Sequence, residues 1–473
     1  MKKNKKREIL TGICIEDIGA EGKAVARVNN VVLFVPYGIP GDVCDVEMIK
    51  KRKQYMEGRI VALATPSPLR ISPACEHFGL CGGCRWQHLP YSEQLRYKQK
   101  QVKDAFEHIG KLDTGHWNNI LPSEKIWAYR NKLEFTFSDA GWLTREEIEN
   151  GNTVHPPQAL GFHIPEKFDK VLDIRKCHLQ PEPSNHIRLA LKEYALKNNL
   201  TFFNLREKRG MMRNLILRNN LKGEFMVIVI FGENKQDIIN KTLKHLRDTF
   251  PEICSLYYAI NTKVNDAIYD LPIVHYSGAT HLMETMEDLS FRIGPKSFYQ
   301  TNSLQALRLY NKIKEMAQLQ GHETVYDLYT GTGTIALFLA RHCRQVAGIE
   351  SVPEAVEDAR ANAAINQIEN VVFVAGDMKD TLTPEFVAKH GKPHVVCIDP
   401  PRAGMHEKVI RTIQLMSPEK IIYVSCNPAT QARDLNLLQD MYRIETIQPV
   451  DMFPHTAHVE NIAMAVLKKP LCL

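Results

Sequence analysis

The chain has 473 residues, of which 44% are hydrophobic and 24% charged, and its formal net charge is +6. This balance is typical of a globular protein and excludes a wholly disordered chain, a collagen-like repeat and a coiled coil. At about 150 residues per domain, the length favours three domains. The small positive charge permits a polyanionic partner without requiring one.

No segment predicts export or insertion into a membrane. The longest apolar run, at 225–231, is far shorter than the roughly 18 apolar residues of a spanning helix. The basic N-terminus at 1–7 is followed by no apolar segment, so we expect no signal peptide. We therefore expect a soluble, cytoplasmic enzyme that is monomeric and has no membrane partner.

Residues 1–63 predict a small OB-like β-barrel. Two β-rich runs at 31–35 and 43–48 flank a turn cluster at 37–42, and prolines follow from 66 onward. Barrels of this kind commonly bind nucleic acid, and the basic run at 50–53 suits such a partner, although a solvated surface would explain it equally well.

Residues 64–285 predict a β-rich central domain that binds RNA. The basic stretch from Arg206 to Arg218 alternates with apolar residues, so we expect its charges to line one face of a strand and to contact an RNA backbone. Apolar residues at helical spacing and turn-rich polar runs predict the other elements, namely helices at 91–109, 184–197 and 235–249 and an exposed loop at 146–157.

From about 286 to 473 strands and helices alternate, which predicts an α/β fold, specifically a Rossmann-like domain with a parallel sheet. We expect the last two strands to form an antiparallel hairpin that closes the sheet edge. Ligands of such sheets bind outside the carboxyl ends of the early strands. The predicted strands are 324–329, 345–350, 371–376, 394–398, 421–425, 445–453 and 462–467, and the predicted helices are 334–342, 353–367, 406–416 and 429–440.

A glycine-containing loop follows the first of these strands. Gly331 and Gly333 let the backbone approach a ligand closely, and the next helix points its first amides at the same place. Glu350 ends the second strand, where a carboxylate can accept hydrogen bonds from both hydroxyls of a ribose. This pattern alone fits NAD, S-adenosylmethionine or a purely structural turn.

Three later strand ends favour methyl transfer over hydride transfer. Asp399 follows the fourth strand, Cys426 follows the fifth, and Glu460 lies in the final hairpin. A pyrimidine C5-methyltransferase needs a thiolate that adds to carbon 6 and a base that removes the proton from carbon 5. We predict that Cys426 is the nucleophile, activated by the helix after it, and that Glu460 is the base. His455 and His458 have no metal-ligand spacing and are predicted to be structural.

Three cysteines lie within ten residues of each other in a glycine-rich loop. Cys75, Cys81 and Cys84 need a fourth soft ligand, for which Cys177 is the best candidate. Four thiolates bind either zinc or an iron–sulfur cluster. The spacing is not that of radical enzymes, so we predict a structural clamp that orders an RNA-binding surface.

Taken together, residues 297–302 (SFYQTN), the DLYTGTGT loop and the DPPR, SCNP and HVE segments resemble the RNA uracil-5-methyltransferase family over essentially the whole chain. The barrel resembles the TRAM domain, which the ribosomal-RNA branch carries and the tRNA branch typically lacks. The resemblance implies S-adenosylmethionine-dependent formation of 5-methyluridine in 23S ribosomal RNA. Thr330 departs from the family, where cysteine is frequent.

The resemblance also assigns roles to individual residues. It favours a [4Fe–4S] cluster over zinc at the four cysteines, and it suggests that helix 91–109 packs on the methyltransferase domain. It implies cofactor contacts by Gln300, Tyr329, Gly331, Gly333, Glu350 and Asp399, with Cys426 as nucleophile and Glu460 as base.

Two other functions stay open on the sequence alone. One keeps the chemistry and changes the substrate to a tRNA uridine. The other is a catalytically silent iron–sulfur protein that binds RNA as a ribosome assembly factor, and a nicotinamide-dependent oxidoreductase is a more distant alternative.

Overall fold

A computed structural model describes residues 7–149, 151 and 158–468. Three sheets and one β-hairpin follow each other along this part of the chain. No helix among the described residues is long and apolar enough to cross a membrane.

The N-terminal barrel is confirmed. Its six strands hydrogen-bond in the order β1-β5-β6-β4-β3-β2, and β1 and β2 are consecutive stretches of one segment, so the sheet closes on itself. Leu33 and Val46 are fully buried inside it. The last strand ends two residues beyond the predicted boundary at 63. The strands are β1 (Ile9–Cys14), β2 (Asp17–Ile18), β3 (Ala24–Val28), β4 (Val31–Val35), β5 (Val43–Lys51) and β6 (Tyr55–Thr65).

The predicted helix at 91–109 consists of α1 (Tyr91–Asp104) and a π-helical turn (Ala105–Gly110), and the short strand β7 (Thr114–Trp117) follows. The buried side chains of Val102 and Phe106 belong to the apolar core on one side of the C-terminal sheet.

The central sheet has seven strands in the order β10-β9-β8-β11-β12-β13-β14, and two helices pack against it. All its pairs are antiparallel except β12 with β13. The elements are β8 (Lys132–Ser138), α2 (Arg145–Glu149), β9 (Ala159–His163), β10 (Val171–Asp173), α3 (Ser184–Lys197), β11 (Met212–Asn219), β12 (Phe225–Phe231), α4 (Gln236–Thr249), β13 (Ile253–Ile260) and β14 (Ile273–Gly278). The predicted loop at 146–157 begins within the short helix α2, and most of the remainder lies outside the described residues.

The prediction that the basic stretch exposes its charges on one strand face is wrong for the strand itself. Arg213 and Arg218 both lie on β11, whose pairing with β12 has a register shift at Arg213, and both are buried. Arg213 donates to the carbonyl of Asn261, and Arg218 donates to that of Ser297 at 2.7 Å. These arginines satisfy buried carbonyl groups, because a charge inside a sheet domain needs such partners.

The C-terminal part is the predicted Rossmann-like domain, preceded by a hairpin of β15 and β16. Its central strands β17 and β20 are buried along their whole length, as expected where helices cover both faces. The elements are β15 (Leu282–Met286), β16 (Leu289–Ile293), α5 (Ser303–Ala317), β17 (Thr324–Leu328), α6 (Thr334–Ala340), β18 (Gln345–Glu350), α7 (Pro353–Ile365), β19 (Val371–Ala375), α8 (Met378–Thr381), α9 (Pro384–His390), β20 (Val395–Ile398), α10 (Glu407–Met416), β21 (Lys420–Ser425), α11 (Pro428–Asn436), β22 (Tyr442–Val450) and β23 (Glu460–Leu467).

The sheet edge differs from the prediction. The strand order is β19-β18-β17-β20-β21-β23-β22-β7, so β22 and β23 form the predicted antiparallel hairpin but do not close the sheet. The edge strand is β7, which pairs in parallel with β22. The order reverses between β17 and β20, and the carboxyl ends at such a reversal are where open α/β sheets bind ligands.

Candidate active site

A cavity of about 1060 Å³ opens at the carboxyl ends of the central strands. It brings together predicted residues from six separate segments of the C-terminal domain. Those that line it are Gln300, Tyr329, Gly331, Glu350, Asp399, Cys426 and Glu460.

The loop after β17 is shaped around Glu350. One carboxylate oxygen of Glu350 accepts the backbone N–H of Gly331 at 3.0 Å, and the other accepts the N–H of Val352 at 2.9 Å. Gly331 has a positive φ of 56°, and a Cβ at this position would have no neighbour within 4 Å. The loop therefore presents bare backbone to the cavity, which suits close approach of a ligand.

Gly333 does not line this cavity, in contrast to the cofactor contact that the sequence suggests. Its φ is 81°, and a Cβ would come within 2.9 Å of the Phe373 ring and 3.0 Å of Ala359. Glycine at 333 is thus required by packing between the loop, β19 and α7 rather than by an open ligand site.

The sheet register places Cys426 beside Glu460. Antiparallel strands β21 and β23 pair Ser425 with Asn461, so the next residue of each strand, Cys426 and Glu460, face each other at the end of the ladder. Asn427 caps α11 by accepting the N–H of Ala429 through its side chain. The thiol therefore lies between a strand end and a capped helix N-terminus.

Burial raises the pKa of all three reactive groups in this site. It raises the pKa of Asp399 to about 7, and burial together with Asp399 raises the pKa of Glu460 well above its usual range. Burial, then the charges of Glu460 and Asp399, raise the pKa of Cys426 to about 11, which Arg402 partly offsets. Desolvation and the neighbouring carboxylates therefore oppose the predicted activation of the thiol by the helix N-terminus.

A second cavity, of about 830 Å³, reaches Cys426 from the other side. Its wall includes Lys23 and Phe34 of the barrel, Arg85 of the cysteine loop and His108 after α1. Cys426 thus lines one cavity that is built mainly by the C-terminal domain and a cleft between that domain and the N-terminal parts.

Three residues that line both cavities, Arg402, Thr456 and His458, were not predicted as site residues. Arg402 belongs to the DPPR segment, of which only Asp399 is predicted as a site residue, and His458 is predicted to be structural. The sequence could have indicated a role for His458, because it lies two residues before Glu460. A histidine beside a predicted base lies within reach of the same ligand.

The four cysteines of the predicted metal site line one cavity of about 380 Å³ as free thiols. Burial raises the pKa of Cys84 to about 12 and that of Cys177 to about 11, and the other thiols of the group add to both shifts. In the described part of the chain, no three His, Cys, Asp or Glu side chains are arranged to hold a single metal ion. The thiols therefore share a cavity without forming the compact geometry of one ion.

Comparison with family models places two known domains on this chain. The model of tRNA (uracil-5-)-methyltransferases matches residues 217–469, which is more than half of the chain. The TRAM domain model matches residues 12–61, the region of the barrel.

Full-length relatives are similar to this chain throughout. An RNA methyltransferase of Bacteroides thetaiotaomicron is 54% identical, over 95% of this chain and 100% of its own length. One of Porphyromonas gingivalis is 52% identical, over 96% of this chain and 99% of its own.

A solved structure supports the fold and the ligand class. The tRNA (uracil-54, C5)-methyltransferase of Pyrococcus abyssi, in complex with S-adenosyl-L-homocysteine, has a TM-score of 0.75 and 29% identity, and the match covers 97% of this chain and 100% of that one. Because the match covers 97% of this chain, the barrel region has a counterpart in this tRNA enzyme, so the barrel alone does not identify the RNA substrate.

Proposed function

This chain belongs to the tRNA (uracil-5-)-methyltransferase family, whose methyl donor is S-adenosylmethionine, and we propose that it methylates carbon 5 of a uridine in 23S ribosomal RNA through a covalent adduct. The observation that carries the covalent mechanism is the position of Cys426, which lines both cavities and directly follows the Ser425–Asn461 pair, next to Glu460 in the larger cavity. Neither hydride transfer nor simple RNA binding requires a thiol and a carboxylate at that point.

In the proposed reaction the thiolate of Cys426 adds to carbon 6 of the uracil, which converts carbon 5 into an enolate carbon. S-adenosylmethionine supplies the methyl group that this carbon takes, and S-adenosylhomocysteine leaves. Because the pKa of Cys426 is raised, we expect the thiol to lose its proton only when the substrate is bound. Arg402, which already lowers the pKa of the thiol, supports this step.

Glu460 completes the reaction as the base. Its carboxylate takes the proton from carbon 5, the freed electron pair restores the double bond between carbons 5 and 6, and the bond from carbon 6 to sulfur breaks. A raised pKa suits this role, because a carboxylate in such a site is a stronger base than one in water. Asp399 is positioned to accept hydrogen bonds from the uracil edge or from the cofactor.

We assign the cofactor contacts to residues of the larger cavity. Glu350, already held by backbone N–H groups, is suited to accept the ribose hydroxyls, and the open backbone at Gly331 admits the ligand. Gln300 and Tyr329 line the same cavity. Gly333 supports the loop from behind.

The RNA enters the second cavity in this proposal. A target uridine has to leave its stack to reach Cys426, which costs a few kcal/mol and is cheapest in a loop or bulge. The cleft offers Phe34 as a stacking surface and Lys23 and Arg85 as cations for phosphate groups.

Two RNA substrates are compatible with this chemistry. Ribosomal RNA is supported by the combination of a TRAM barrel with four clustered cysteines, which the family resemblance associates with the ribosomal-RNA branch. A tRNA substrate is supported by the match of nearly the whole chain to the Pyrococcus abyssi tRNA enzyme.

We further propose that Cys75, Cys81, Cys84 and Cys177 hold a [4Fe–4S] cluster rather than zinc. A single zinc ion binds thiolates at about 2.3 Å and so needs them around one point, an arrangement that the described side chains lack. A four-iron cluster also takes four thiolates and is larger. Burial and the neighbouring thiols raise the pKa of Cys84 and Cys177, so these groups become thiolates only where a bound cation compensates for the desolvation.

The test of the main proposal is nucleoside mass spectrometry of ribosomal RNA and tRNA that lack 5-methyluridine. Each RNA is incubated with S-adenosylmethionine and either wild-type protein or Cys426→Ala. We expect new 5-methyluridine in 23S ribosomal RNA with wild type alone.

Other results would change specific parts of the proposal. Product in tRNA would keep the mechanism and replace the substrate, and product with Cys426→Ala would reject the covalent mechanism. Bound S-adenosylmethionine without product in either RNA would favour an assembly factor.

The cluster is tested on anaerobically purified protein by iron, sulfide and zinc analysis with visible absorption. We expect about four irons and four sulfides per chain. Cys177→Ser should lose them, whereas Cys254→Ser, at a cysteine outside the cavity, should not. Stoichiometric zinc without iron would reject the cluster.

A further inference from the structure

One face of α1 contacts the segment 451–459 that joins β22 to β23. Tyr91, Gln94 and Lys98 lie on this face at helical spacing. The Tyr91 hydroxyl donates to Oδ2 of Asp451 at 2.8 Å, and the Gln94 Oε1 accepts the backbone N–H of His455 at 2.9 Å. A helix from the first quarter of the chain thus holds a connection near its end.

Lys98 makes the strongest of these contacts. Its side chain is fully buried, and its ammonium group donates to Oδ1 of Asp451 at 2.5 Å and to the carbonyl of Phe453 at 2.9 Å. Asp451 in turn accepts the N–H of Phe453 at 3.1 Å. Asp451 and Phe453, at the start of the connection, are therefore both bound to one ammonium group.

These contacts continue toward Glu460 by two routes. Along the sheet, Val450 pairs with Glu460 across β22 and β23, and Asp451 directly follows Val450. Along the connection, the Thr456 hydroxyl donates to the carbonyl of Phe453, and it accepts the N–H of His458 at 3.2 Å. The strand partner of Glu460 and the segment that precedes Glu460 are thus both connected to Asp451 and Phe453, the two residues that Lys98 binds.

We propose that Lys98 is a positioning residue that sets the carboxylate of Glu460 for proton removal, an inference that rests on the proposed function. Stability alone gives little reason for such a pair, because desolvating two charges offsets most of their attraction and apolar side chains would pack as well. An ammonium group that binds a carboxylate and a carbonyl at once fixes the position and orientation of the segment that carries them. A base acts only within hydrogen-bond reach of its proton, so a shift of the connection impairs this step selectively.

The step that depends on Lys98 is the last one. Glu460 takes the proton from carbon 5 of the methylated adduct, the double bond between carbons 5 and 6 re-forms, and the Cys426 thiolate leaves. If Glu460 is displaced, the sulfur–carbon bond still forms and the methyl group is still transferred, but the adduct between protein and RNA persists.

The experiment compares Lys98→Met with Lys103→Met in the full-length protein. Lys103 is on the same helix, but its ammonium lies over the Trp117 ring at 5.6 Å, away from the connection. Glu460→Gln serves as the reference for a lost base. Adduct is measured on denaturing gels, release by 5-methyluridine formation, cofactor binding by S-adenosylhomocysteine titration, and folding by thermal melting.

We expect Lys98→Met to accumulate adduct as Glu460→Gln does. Release should slow by about 100-fold, the effect of a displacement near 1 Å in an active site, while the affinity for S-adenosylhomocysteine stays unchanged. Lys103→Met should match wild type. Tyr91→Phe, which removes one bond to Asp451 and the acceptor of the Ser123 N–H, should show a smaller delay of the same step.

Several outcomes would reject the inference. Release at the wild-type rate in Lys98→Met, or equal slowing of adduct formation and release, would exclude a specific effect on the base. If Lys98→Met unfolds, Lys98→Met/Asp451→Asn removes both charges, and persistent adduct in that variant supports positioning, whereas full recovery of turnover shows a purely structural pair. Wild-type protein without adduct or product overturns the proposed function itself, and this inference with it.

Discussion

Burial of Asp399 lowers the stability of the folded protein at neutral pH. Its pKa is raised to about 7 from an ordinary value of 3.8, so the folded site opposes ionisation that the unfolded chain permits. Below the ordinary value the carboxyl group is protonated in both states and costs nothing. As the pH rises from the ordinary value to the folded value, the unfolded chain ionises while the folded site keeps its proton, so the folded protein loses stability, and above the folded value the loss stays constant.

We therefore predict that Asp399→Asn melts at a higher temperature than wild type, and that the difference is larger at about pH 7.5 than at about pH 4.5. Activity should be lost, as is common where a strained polar group serves the reaction. Thermal melts at the two pH values measure the effect, with the exposed Asp440→Asn as control. An equal difference at both pH values would show that Asp399 does not titrate as described.

Some properties of individual residues could be predicted from the sequence alone, and others could not. Cys426, Glu460 and Asp399 could be selected because strand ends on one sheet edge and the chemistry of uracil both point to them. The direction of the pKa shift of Cys426 could not be predicted, because it depends on how deeply the thiol is buried and on the charges of Glu460 and Asp399 beside it. Nor could Arg213 and Arg218 be recognised as buried, since their carbonyl partners come from later segments.

At the scale of elements, the loop between β17 and α6 contains two glycines with different roles. Both have positive φ, so alanine costs each about 1 kcal/mol or more in backbone strain. At Gly333 the new methyl group would also contact Phe373 at 2.9 Å, whereas at Gly331 it would project into open space.

We predict that Gly333→Ala lowers the melting temperature more than Gly331→Ala does. Conversely, Gly331→Ala should weaken S-adenosylhomocysteine binding more, because its methyl group occupies the ligand side of the loop. Melting curves and calorimetric titration of the two variants provide the comparison. Equal effects of both variants on binding would mean that Gly333 also contacts the ligand.

The order of the β-α elements was predictable because each carries its own periodicity and turn residues. The addition of β7 at the sheet edge was not, since a four-residue strand such as Thr114–Trp117 gives almost no pattern, and its partner β22 lies more than 300 residues later. The contacts of α1 were suggested only by family resemblance, since the pairing of Lys98 with Asp451 spans 353 residues.

At the scale of the whole molecule, the proposed cofactor site and the proposed RNA site are two different cavities. One is built mainly by the C-terminal domain, with Arg130, Tyr269 and His281 of the central part, and the other by the barrel, the cysteine loop and α1 together with the reactive thiol. Cofactor binding and RNA binding should therefore be separable by mutation.

We predict that Phe34→Ala weakens RNA binding by about 10-fold, the usual effect of losing one base-stacking ring, and leaves S-adenosylhomocysteine binding unchanged. Ile49→Ala removes an exposed apolar side chain of the same barrel outside the cleft and is the matched control. Fluorescence anisotropy with labelled RNA at several salt concentrations measures affinity. Loss of binding in the control as well would indicate damage to the barrel rather than to the cleft.

The long reach of α1 also determines when the protein becomes an enzyme during its synthesis. Residues 91–117 emerge from the ribosome long before β22 and β23, whereas the barrel and the central sheet contain most of their own contacts. Domains generally fold in order of synthesis, and contacts between distant segments form late. Until translation ends, Val102 and Phe106 lack most of the core that later buries them. Nascent chains should therefore gain RNA affinity before catalytic competence, and their exposed helix should be a target for chaperones.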